Sequence, residues 1–335
     1  MISDFSNSND LFKKNSFLKD IIDFVDFKTN SKLIFIGDAA QLPPVNQTIS
    51  PALNSEFLKT TYNINIDEYE ISDVVRQSEE SGILYNATVI RNTIINNDLD
   101  FKFKKFNDIV SLSDGFEIQE SIENSFNEIG RDNSIIIVRS NKRANQYNQQ
   151  IRKTILSHEH KVCLGDLLMI TKNNYFWTSS DSEIPFLANG DIIEIVKIHR
   201  IRELYGFEFA EVNIRMVDYI NYPSFDTIIM LNTLDSDLPS LSYEQSNNLY
   251  QEVQKDYINI KSKYKRFLKT KENPFFNALN VKFSYAITCH KAQGGQWPVV
   301  FIEKPYLKNG PDIDYMRWLY TAVTRAESKL YLIGF

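Results

Sequence analysis

Polar residues that can bind phosphate follow the apolar run KLIFI in the segment GDAAQLPPV, residues 37–45. A Gly-Asp pair at the carboxyl end of a buried strand lies where α/β proteins bind their ligands. Gly37 and Asp38 are such a pair, and the Gln41 amide could donate a hydrogen bond to a phosphate oxygen beyond the strand. The alternative for Gly37-Asp38 is a strand end followed by a Pro-Pro turn. We take Gly37, Asp38 and Gln41 as candidate nucleotide contacts.

Two arginines could also bind phosphate. Arg76, in VVRQSEESGI, offers a planar guanidinium that can hold a phosphate through two parallel hydrogen bonds. Arg325 precedes the last apolar run of the chain. It could act as an arginine finger, a kind of residue worth about 10³ to 10⁵ in the rate of phosphoryl transfer. The alternatives are a solvated surface residue for Arg76 and a surface salt-bridge partner for Arg325.

The segment AITCHKAQGGQW, residues 286–297, gathers hydrogen-bonding side chains beside a glycine turn. Its candidate residues are Thr288, His290, Lys291, Gln293 and Gly294. Gly294-Gly295 would let the backbone approach a phosphate closely, because glycine has no Cβ and readily adopts positive φ. The alternative for His290 is a histidine packed in the core.

Alternating helix and strand patterns surround these segments. Residues 11–25 carry apolar residues at helical spacing and lead into KLIFIGD, residues 32–38, which predicts a helix and then a buried strand. A second apolar run, SIIIVRS at residues 134–140, precedes a helical pattern capped by Asn141. This alternation predicts an α/β core with mostly parallel strands.

A different pattern occupies the middle of the chain. From Gly165 to about Phe225, short alternating runs separated by turns predict a small antiparallel β barrel inserted in the α/β domain. Residues 242–271 contain neither Gly nor Pro and are expected to form one long helix. Residues 281–303 and 317–335 return to α/β character.

Composition narrows the class of protein. The chain has 335 residues, 43% of them apolar, which is enough to bury more than one core. Cys163 and Cys289 fit neither a disulfide framework nor a paired metal-ligand spacing, which favours a reducing compartment. No window approaches the roughly 18 uninterrupted apolar residues of a membrane helix, so we expect a cytoplasmic protein. The formal net charge of -6 argues mildly against nucleic acid, although an acidic protein can carry a basic groove.

Taken in this order, four segments resemble the motifs of superfamily 1 helicases, in the RecD-like branch that includes the Dda and Pif helicases. GDAAQLPPV resembles motif III, VVRQ motif IV, YAITCHKAQG motif V and LYTAVTRA motif VI. Residues 138–152 resemble the start of the second motor domain, and GDLLMITKNNY with NGDIIEIV resembles the SH3-like domain inserted in it. The resemblance covers nearly the whole chain from Lys32 onward.

The resemblance implies RecA-like parallel-sheet domains, the first of them incomplete, with an inserted small SH3-like β barrel. The corresponding boundaries are 1–115 for the incomplete first motor domain, 116–164 and 278–335 for the second, and 165–277 for the barrel with the long helix.

The resemblance also implies ATP with Mg²⁺ as the cofactor, single-stranded DNA as the partner, and a larger DNA-repair or recombination complex like that of the exodeoxyribonuclease V α subunit. Gln41, Arg76 and Arg325 would act on the γ-phosphate, and the wider nucleotide site would include Gly37, Asp38, Gly294 and Gln296. The family often has Glu where this chain has Gln296, which leaves the contact at that position open. The nucleic-acid contacts would be Pro44, Asn141, Thr288, His290, Lys291 and Gln293.

Two parts of such a motor are missing from the sequence. The P-loop pattern G-x-x-x-x-G-K-[ST] is absent, since none of the eleven glycines is followed by lysine. Asp67-Glu68 is not the Mg²⁺-binding Asp-Glu pair, because it follows motif III, whereas that pair should precede it. MISD, residues 1–4, resembles the residues just after that pair, so we expect both missing parts to precede Met1.

Two functions therefore fit the sequence. The first is the C-terminal part of an ATP-dependent DNA helicase, with 5′ to 3′ polarity implied by the resemblance and no ATPase activity of its own. The second is a non-catalytic module that binds nucleic acid or completes a partner. The joint presence of Gln41, Arg76 and Arg325 favours the first.

Two further segments could have either a binding role or a purely structural role. The basic end of the long helix, with Tyr264 and Phe267 between its charges, could track a phosphate backbone while its rings stack on bases. The alternative is a solvated helix face with its rings in the core. SHEHKVC contains His158, His160 and Cys163, but the spacing is short and a fourth ligand is missing, so we predict no metal site.

Overall fold

The structure, a computed structural model, describes residues 16–25, 31–44, 47–71, 81–238 and 240–335. The chain divides into two units. Unit 1 contains the described residues of Met1–Asp108 together with Leu307–Thr324, and unit 2 contains those of Ile109–Tyr306 together with Arg325–Phe335.

The helices of the described residues are α1 (Phe17–Phe24), α2 (Ser55–Tyr62), α3 (Gly82–Asn96), α4 (Gly115–Glu128), α5 (Asn141–Gln150), α6 (Tyr243–Lys255), α7 (Lys263–Lys271), α8 (Cys289–Ala292) and α9 (Ile313–Val323). The strands are β1 (Ile109–Leu112), β2 (Ser134–Val138), β3 (Leu167–Ile170), β4 (Ile192–Leu204), β5 (Phe207–Met216), β6 (Phe225–Met230), β7 (Leu279–Phe283), β8 (Ala286–Thr288), β9 (Trp297–Glu303) and β10 (Ala326–Ile333). Within the described ranges, no helix has the length and apolar character needed to span a membrane.

A five-stranded parallel sheet forms one part of unit 2, in the strand order β1-β10-β9-β2-β8. Every residue of β2 is buried. A parallel strand covered on both faces is expected to be apolar along its whole length, as SIIIV is. The predicted α/β architecture with a parallel sheet is confirmed.

Helix α5 follows β2 and fixes the position of β8. Buried Asn148 accepts from Ala286 N at 2.7 Å through Oδ1 and donates to Ala286 O at 2.9 Å through Nδ2. The helix begins one residue earlier than the predicted cap implies. Ser140 is the N-cap, with extended backbone and with its Oγ accepting from Arg143 N at 3.2 Å, and Asn141 is the first helical residue.

Strands β3 to β7 form a closed five-stranded barrel, the second part of unit 2. Neighbouring strands are antiparallel except for β6 and β7, which are parallel. The barrel and the parallel sheet share one apolar core, which contains Ile193 of β4 and Ile136 of β2, both fully buried. The predicted small barrel is therefore present, and its SH3-like character stays a prediction.

Strand β7 closes the barrel by pairing with β3 and β6. The sequence-based boundaries place these residues instead in the second motor domain, within 278–335. Only Ser284 and Tyr285 separate β7 from β8, which joins the parallel sheet. Because one apolar run supplies both strands, hydrophobic periodicity does not mark where the barrel ends.

The segment predicted to form one long helix contains two, α6 and α7. Between them, residues 256–259 form turns and residues 260–262 have no regular structure, with Tyr257 N donating to Gln254 O at 3.1 Å and Ile260 N donating to Tyr257 O at 3.0 Å. Ser262 then caps α7 by accepting from Lys265 N at 3.3 Å. β-Branched residues and asparagine favour a helix only weakly, and serine favours an N-cap, so YINIKS interrupts the helix without Gly or Pro.

Unit 1 has a small core beneath α1 and α2, formed by Leu18, Ile22, Ala52 and Leu58. Residues 31–38 pack Leu33 and Phe35 on this core, but Ile34 and Ile36 are 76% and 91% exposed. The prediction of a buried strand here is wrong. A strand requires a neighbouring strand that satisfies its backbone hydrogen bonds, and no strand lies among the described residues of unit 1.

Candidate functional site

Asp38 is the centre of a hydrogen-bonded cluster in unit 1. Its Oδ1 accepts from Arg91 Nη1 at 2.8 Å and from Ala40 N at 3.0 Å, and its Oδ2 accepts from the Tyr320 hydroxyl at 2.9 Å. Burial and the Asp38 charge raise the pKa of Tyr320, so the phenol stays protonated and donates. The carboxylate is thus held by its own turn, by α3 and by α9.

Gln41 lies in the same turn as Asp38. Its backbone N donates to Asp38 O at 3.2 Å, and its Nε2 donates to Asp38 Oδ2 at 3.3 Å. The next residue is tied to α9, since Leu42 N donates to Thr321 Oγ1 at 2.9 Å. The structure therefore brings Asp38 and Gln41 together, with the Gln41 amide bonded to the carboxylate.

Arg91 is not among the candidate residues predicted from the sequence. It is the only charged residue of α3, GILYNATVIRNTIIN, and that isolation is the signal that could have found it. Its Nη2 also contacts Glu70 at 3.2 Å, and the side chain is 30% exposed. Burial lowers the pKa of Arg91, but the hydrogen bond with Tyr320 and the Asp38 charge outweigh burial, and the net pKa is raised. Unit 1 therefore holds a permanent cation beside Asp38 and Gln41.

Gly37, Pro44 and Arg76 are the other residues of this part of the chain that were predicted to bind nucleotide or nucleic acid. Gly37 packs closely on Leu53, whose Cδ1 would lie 2.7 Å from a Cβ at that position. Pro44 is buried, and its contact with nucleic acid stays a prediction. Arg76 lies outside the described residues.

Arg325 lies against the glycine turn of unit 2. Its Nη1 donates to Gly295 O at 3.0 Å, and its own carbonyl accepts from Trp297 N at 2.9 Å. Only 7% of Arg325 is exposed. Gly294 has φ of +87°, and a Cβ at Gly295 would lie 2.4 Å from the Trp297 ring, so both positions favour glycine for different reasons. Arg325 therefore contacts the glycine turn within this unit, and the binding of nucleotide by Arg325 and Gly294 stays a prediction.

The predicted nucleic-acid residues of the 288–293 segment differ in exposure. Thr288 and Gln293 are half-buried and His290 is exposed, as is the candidate nucleotide contact Gln296. Partial desolvation lowers the pKa of His290, which favours a neutral imidazole near neutral pH. Lys291 is half-buried, burial lowers its pKa, and its Nζ donates to Asn189 Oδ1 at 2.6 Å.

Asn141 is bonded to a neighbouring acidic loop. Its Nδ2 donates to Asp237 O at 3.0 Å, and two further amides of α5 bond the same loop. Lys282 Nζ donates to Ser236 O. The predicted nucleic-acid contact at Asn141 is therefore occupied by protein in this structure.

A buried polar cluster occupies the region of SHEHKVC. Donor atoms of His158, Cys163 and Asp166 lie within 4.8 Å of one another. However, Asp166 forms a two-point ion pair with buried Arg152 at 2.9 and 3.0 Å, and it also accepts from Cys163 N at 2.7 Å. His158 Nδ1 lies 2.9 Å from Asp166 Oδ1. Because protein donors surround this carboxylate, the cluster functions as a structural ion-pair network.

The basic helix α7 carries its rings at the surface. Tyr264 is 69% exposed and Phe267 is 40% exposed, so the alternative that places these rings in the core is wrong. Lys271 Nζ lies 5.1 Å from the centre of the Phe276 ring and 5.8 Å from that of Phe267. Lys269 pairs with Glu272 at 2.7 Å. The helix thus combines exposed cations with exposed aromatic faces.

One part of the chain matches a described protein family. Residues 283–333 match the UvrD-like helicase C-terminal domain. This segment contains the two regions that resemble helicase motifs V and VI. The first includes the glycine turn and the second includes Arg325. The chain is also similar in sequence to the uncharacterized protein R530 of Acanthamoeba polyphaga mimivirus. The two are 25% identical over 349 residues, which cover 89% of this chain and 68% of that protein.

Solved structures of Pif1 helicases are also similar. Pif1 helicase from Candida albicans has 13% identity and a TM-score of 0.37, covering 89% of this chain and 62% of that chain. Pif1 helicase from Bacteroides in complex with ADP-AlF3 and ssDNA has 14% identity and a TM-score of 0.35, covering 89% and 61%. The present chain thus spans about three fifths of the length of these structures.

The family match falls on the segment in which Arg325 and the glycine turn are brought together. The predicted resemblance to helicases is thus confirmed for residues 283–333, which match the UvrD-like helicase C-terminal domain.

Proposed function

We propose that this chain is the C-terminal part of an ATP-dependent DNA helicase that couples ATP hydrolysis to movement along single-stranded DNA in the 5′ to 3′ direction. In this proposal the closed barrel is the SH3-like insertion of the second RecA-like domain. The observation that carries the proposal is the placement of Arg325, buried and bonded to Gly295 O inside the segment that matches a helicase domain.

The geometry of Arg325 suits stabilisation of a phosphate. A buried guanidinium already held by a backbone carbonyl needs little reorganisation when charge develops on a transferring phosphoryl group, and such preorganised charges contribute strongly to catalysis. Gly294, with its positive φ, allows the neighbouring backbone to approach closely. Arg325 is therefore the proposed arginine finger.

Unit 1, taken by itself, holds two groups that can donate hydrogen bonds to a phosphate, the amide of Gln41 and the guanidinium of Arg91. Asp38 does not fit Mg²⁺, because both of its oxygens already accept hydrogen bonds. When bound, Mg²⁺ would neutralise negative charge on the phosphates of ATP.

The alternative is a non-catalytic module that binds nucleic acid or completes a partner. The observation that favours it is the lack of a P-loop pattern in the sequence, since none of the eleven glycines precedes a lysine. Both functions require the same contacts with nucleic acid. They differ in whether a P-loop, supplied upstream in the same polypeptide, restores ATP hydrolysis.

ATP hydrolysis distinguishes the two functions. We expect these 335 residues to hydrolyse ATP no faster than a buffer control, with or without single-stranded DNA. With an upstream P-loop segment in the same polypeptide, we expect DNA-stimulated hydrolysis. In that longer protein, Arg325→Ala should lower the rate by about 10³ or more. The exposed arginine variant Arg200→Ala should leave it unchanged.

Two results would contradict these expectations, the first for the present chain and the second for the longer protein. DNA-stimulated turnover by the present chain would show that another segment replaces the P-loop. A longer protein that binds DNA and ATP but shows no DNA-stimulated hydrolysis would favour the non-catalytic module. Circular dichroism of Arg325→Ala is needed as a control because the side chain is buried.

A further inference from the structure

A stacked pair of aromatic rings, one exposed and one half-buried, lies on the segment between β3 and β4. Tyr175 is 70% exposed and stacks on Phe186, with ring centroids 5.0 Å apart and an interplanar angle of 28°. The adjacent Phe176 is 38% exposed. The Tyr175 ring therefore presents an aromatic face to solvent while it rests on Phe186.

The segment that carries the rings is held in place by hydrogen bonds. Asn174 and Leu187 exchange two backbone hydrogen bonds at 2.8 and 2.9 Å, which brings Tyr175 opposite Phe186. Asn174 Nδ2 and Trp177 Nε1 both donate to Asn277 O at 2.8 Å. Because the rings are already ordered, a ligand that stacks on them loses little additional conformational entropy.

One side of the ring pair is connected to Lys291. Lys291 Nζ donates to Asn189 Oδ1 at 2.6 Å, and Asn189 N donates to Asn173 Oδ1 at 2.8 Å. Asn173 Nδ2 then donates to the Tyr175 hydroxyl at 3.4 Å. A chain of hydrogen bonds therefore joins the aromatic pair to a lysine of the segment that matches the helicase domain.

The other side of the ring pair is connected to the basic helix α7. Asn277, which anchors Asn174 and Trp177, donates through Nδ2 to Lys271 O at 2.7 Å, at the last residue of α7. Lys172, next to Asn173, is also exposed. The segment that carries the aromatic pair is thus linked by hydrogen bonds to elements that carry positive charge.

We propose that Tyr175 and Phe186 form a base-stacking platform for single-stranded DNA, with Lys291 and the basic end of α7 holding phosphates on either side. The proposal rests on the proposed function, because it assigns DNA-binding residues to the same protein. Exposed aromatic faces flanked by cations fit a polyanion with unpaired planar bases. The bases of a duplex are already stacked on one another, and an apolar peptide has no phosphates for the lysines.

Binding to strands with and without bases tests the platform. Fluorescence anisotropy of the full chain would compare an oligothymidylate with an abasic oligonucleotide of equal length. Tyr175→Ala should weaken binding of the oligothymidylate by about 5- to 100-fold and leave binding of the abasic strand unchanged. Tyr175→Trp should retain binding of both. Tyr306→Ala, at a tyrosine that is 90% exposed, is the matched control and should bind like the natural protein.

Three outcomes would overturn the platform, and they are distinguishable. If the natural chain binds oligothymidylate and Tyr175→Ala binds it equally well, the platform is wrong while the proposed function stands. If Tyr175→Ala loses affinity for both strands equally, the tyrosine acts on the phosphates or the fold, and stacking is wrong. If the natural chain binds neither strand, the proposed function fails together with the platform.

Discussion

At the scale of single residues, the candidate phosphate-binding groups differ in how much of their hydrogen-bonding capacity the protein already uses. Both oxygens of Asp38 accept hydrogen bonds, and the Gln41 amide donates to one of them. A phosphate near Gln41 would therefore have to compete with Asp38 for this amide. Arg91, bonded to the same carboxylate, offers a charge that would favour the phosphate.

The titration of Lys282 gives a prediction at this scale. Burial lowers the pKa of Lys282 to about 8, although the nearby Asp235 and Asp237 act in the opposite direction. An unfolded lysine titrates at about 10.4. Between these values the unfolded chain keeps a proton that the folded chain has released, so this group makes stability rise as pH increases through that window. Below the folded pKa, the buried charge costs stability.

Urea unfolding of the natural chain and of Lys282→Met at pH 7.5 and pH 9.5 measures this effect. We expect the free energy of unfolding of the natural chain, relative to the variant, to be larger at the higher pH. Lys308→Met, at an exposed lysine, should show no such pH dependence. If the difference in the free energy of unfolding between the natural chain and Lys282→Met is the same at both pH values, the lowered pKa of Lys282 is wrong.

At the scale of secondary-structure elements, local sequence and tertiary partners determine different features. Turn-forming polar residues and the Ser262 cap divide α6 from α7, and both signals are local. By contrast, residues 31–38 carry an apolar run typical of a buried strand but form no strand. Their backbone groups would need a neighbouring strand, which residue types alone do not reveal.

The start of α3 gives a prediction at this scale. Gly82 is the first residue of that helix, and a Cβ there would lie 2.2 Å from Phe106 Cβ and 2.5 Å from Asp108 Oδ1. Since a Cβ atom cannot move without its backbone, Gly82→Ala should destabilise the protein by about 1 to 3 kcal/mol through overpacking.

Gly115 is a matched control because it is the first residue of α4 and has no atom within 4 Å of a Cβ placed there. Gly115→Ala should be neutral or should stabilise by about 0.4 to 1 kcal/mol, because alanine restricts the unfolded chain. Urea unfolding of both variants would test the contrast. A Gly82→Ala protein as stable as the natural chain would show that this helix start has room to relax.

At the scale of the whole molecule, a net charge of -6 coexists with a concentrated basic surface on α7. Single-strand binding is then expected to be weak and sensitive to salt. The logarithm of affinity should fall against the logarithm of salt concentration with a slope of about -0.7 for each phosphate neutralised.

Removing two exposed lysines of α7 in Lys263→Ala/Lys265→Ala should make that slope shallower by about 0.7 for each phosphate that the variant no longer neutralises. The measurement is binding of an oligothymidylate over a range of salt concentrations, with Lys308→Ala as the control. An affinity of the natural chain that stays constant from low to high salt would contradict an electrostatic contribution to binding.

The sequence by itself determined the parallel α/β core, the presence of a barrel and the helicase relationship. A strand buried on both faces is apolar along its length, and short alternating runs mark a small barrel, so both patterns are local. The order of the motif segments indicated the resemblance to helicases, and the match of residues 283–333 supports it. The roles of Gln41, Arg76 and the nucleic-acid residues remain predictions.

Only the tertiary structure decided which side chains meet. Arg91 reaches Asp38 across 53 positions, and Asn141 reaches the carbonyl of Asp237 across 96. The tertiary structure also assigned β7 to the barrel and placed the Tyr175–Phe186 pair beside Lys291 and α7. The type of a residue determines which hydrogen bonds and ion pairs its side chain can form. Its partner is chosen by packing between distant segments, because every buried polar group must find a donor or acceptor wherever the fold brings one close.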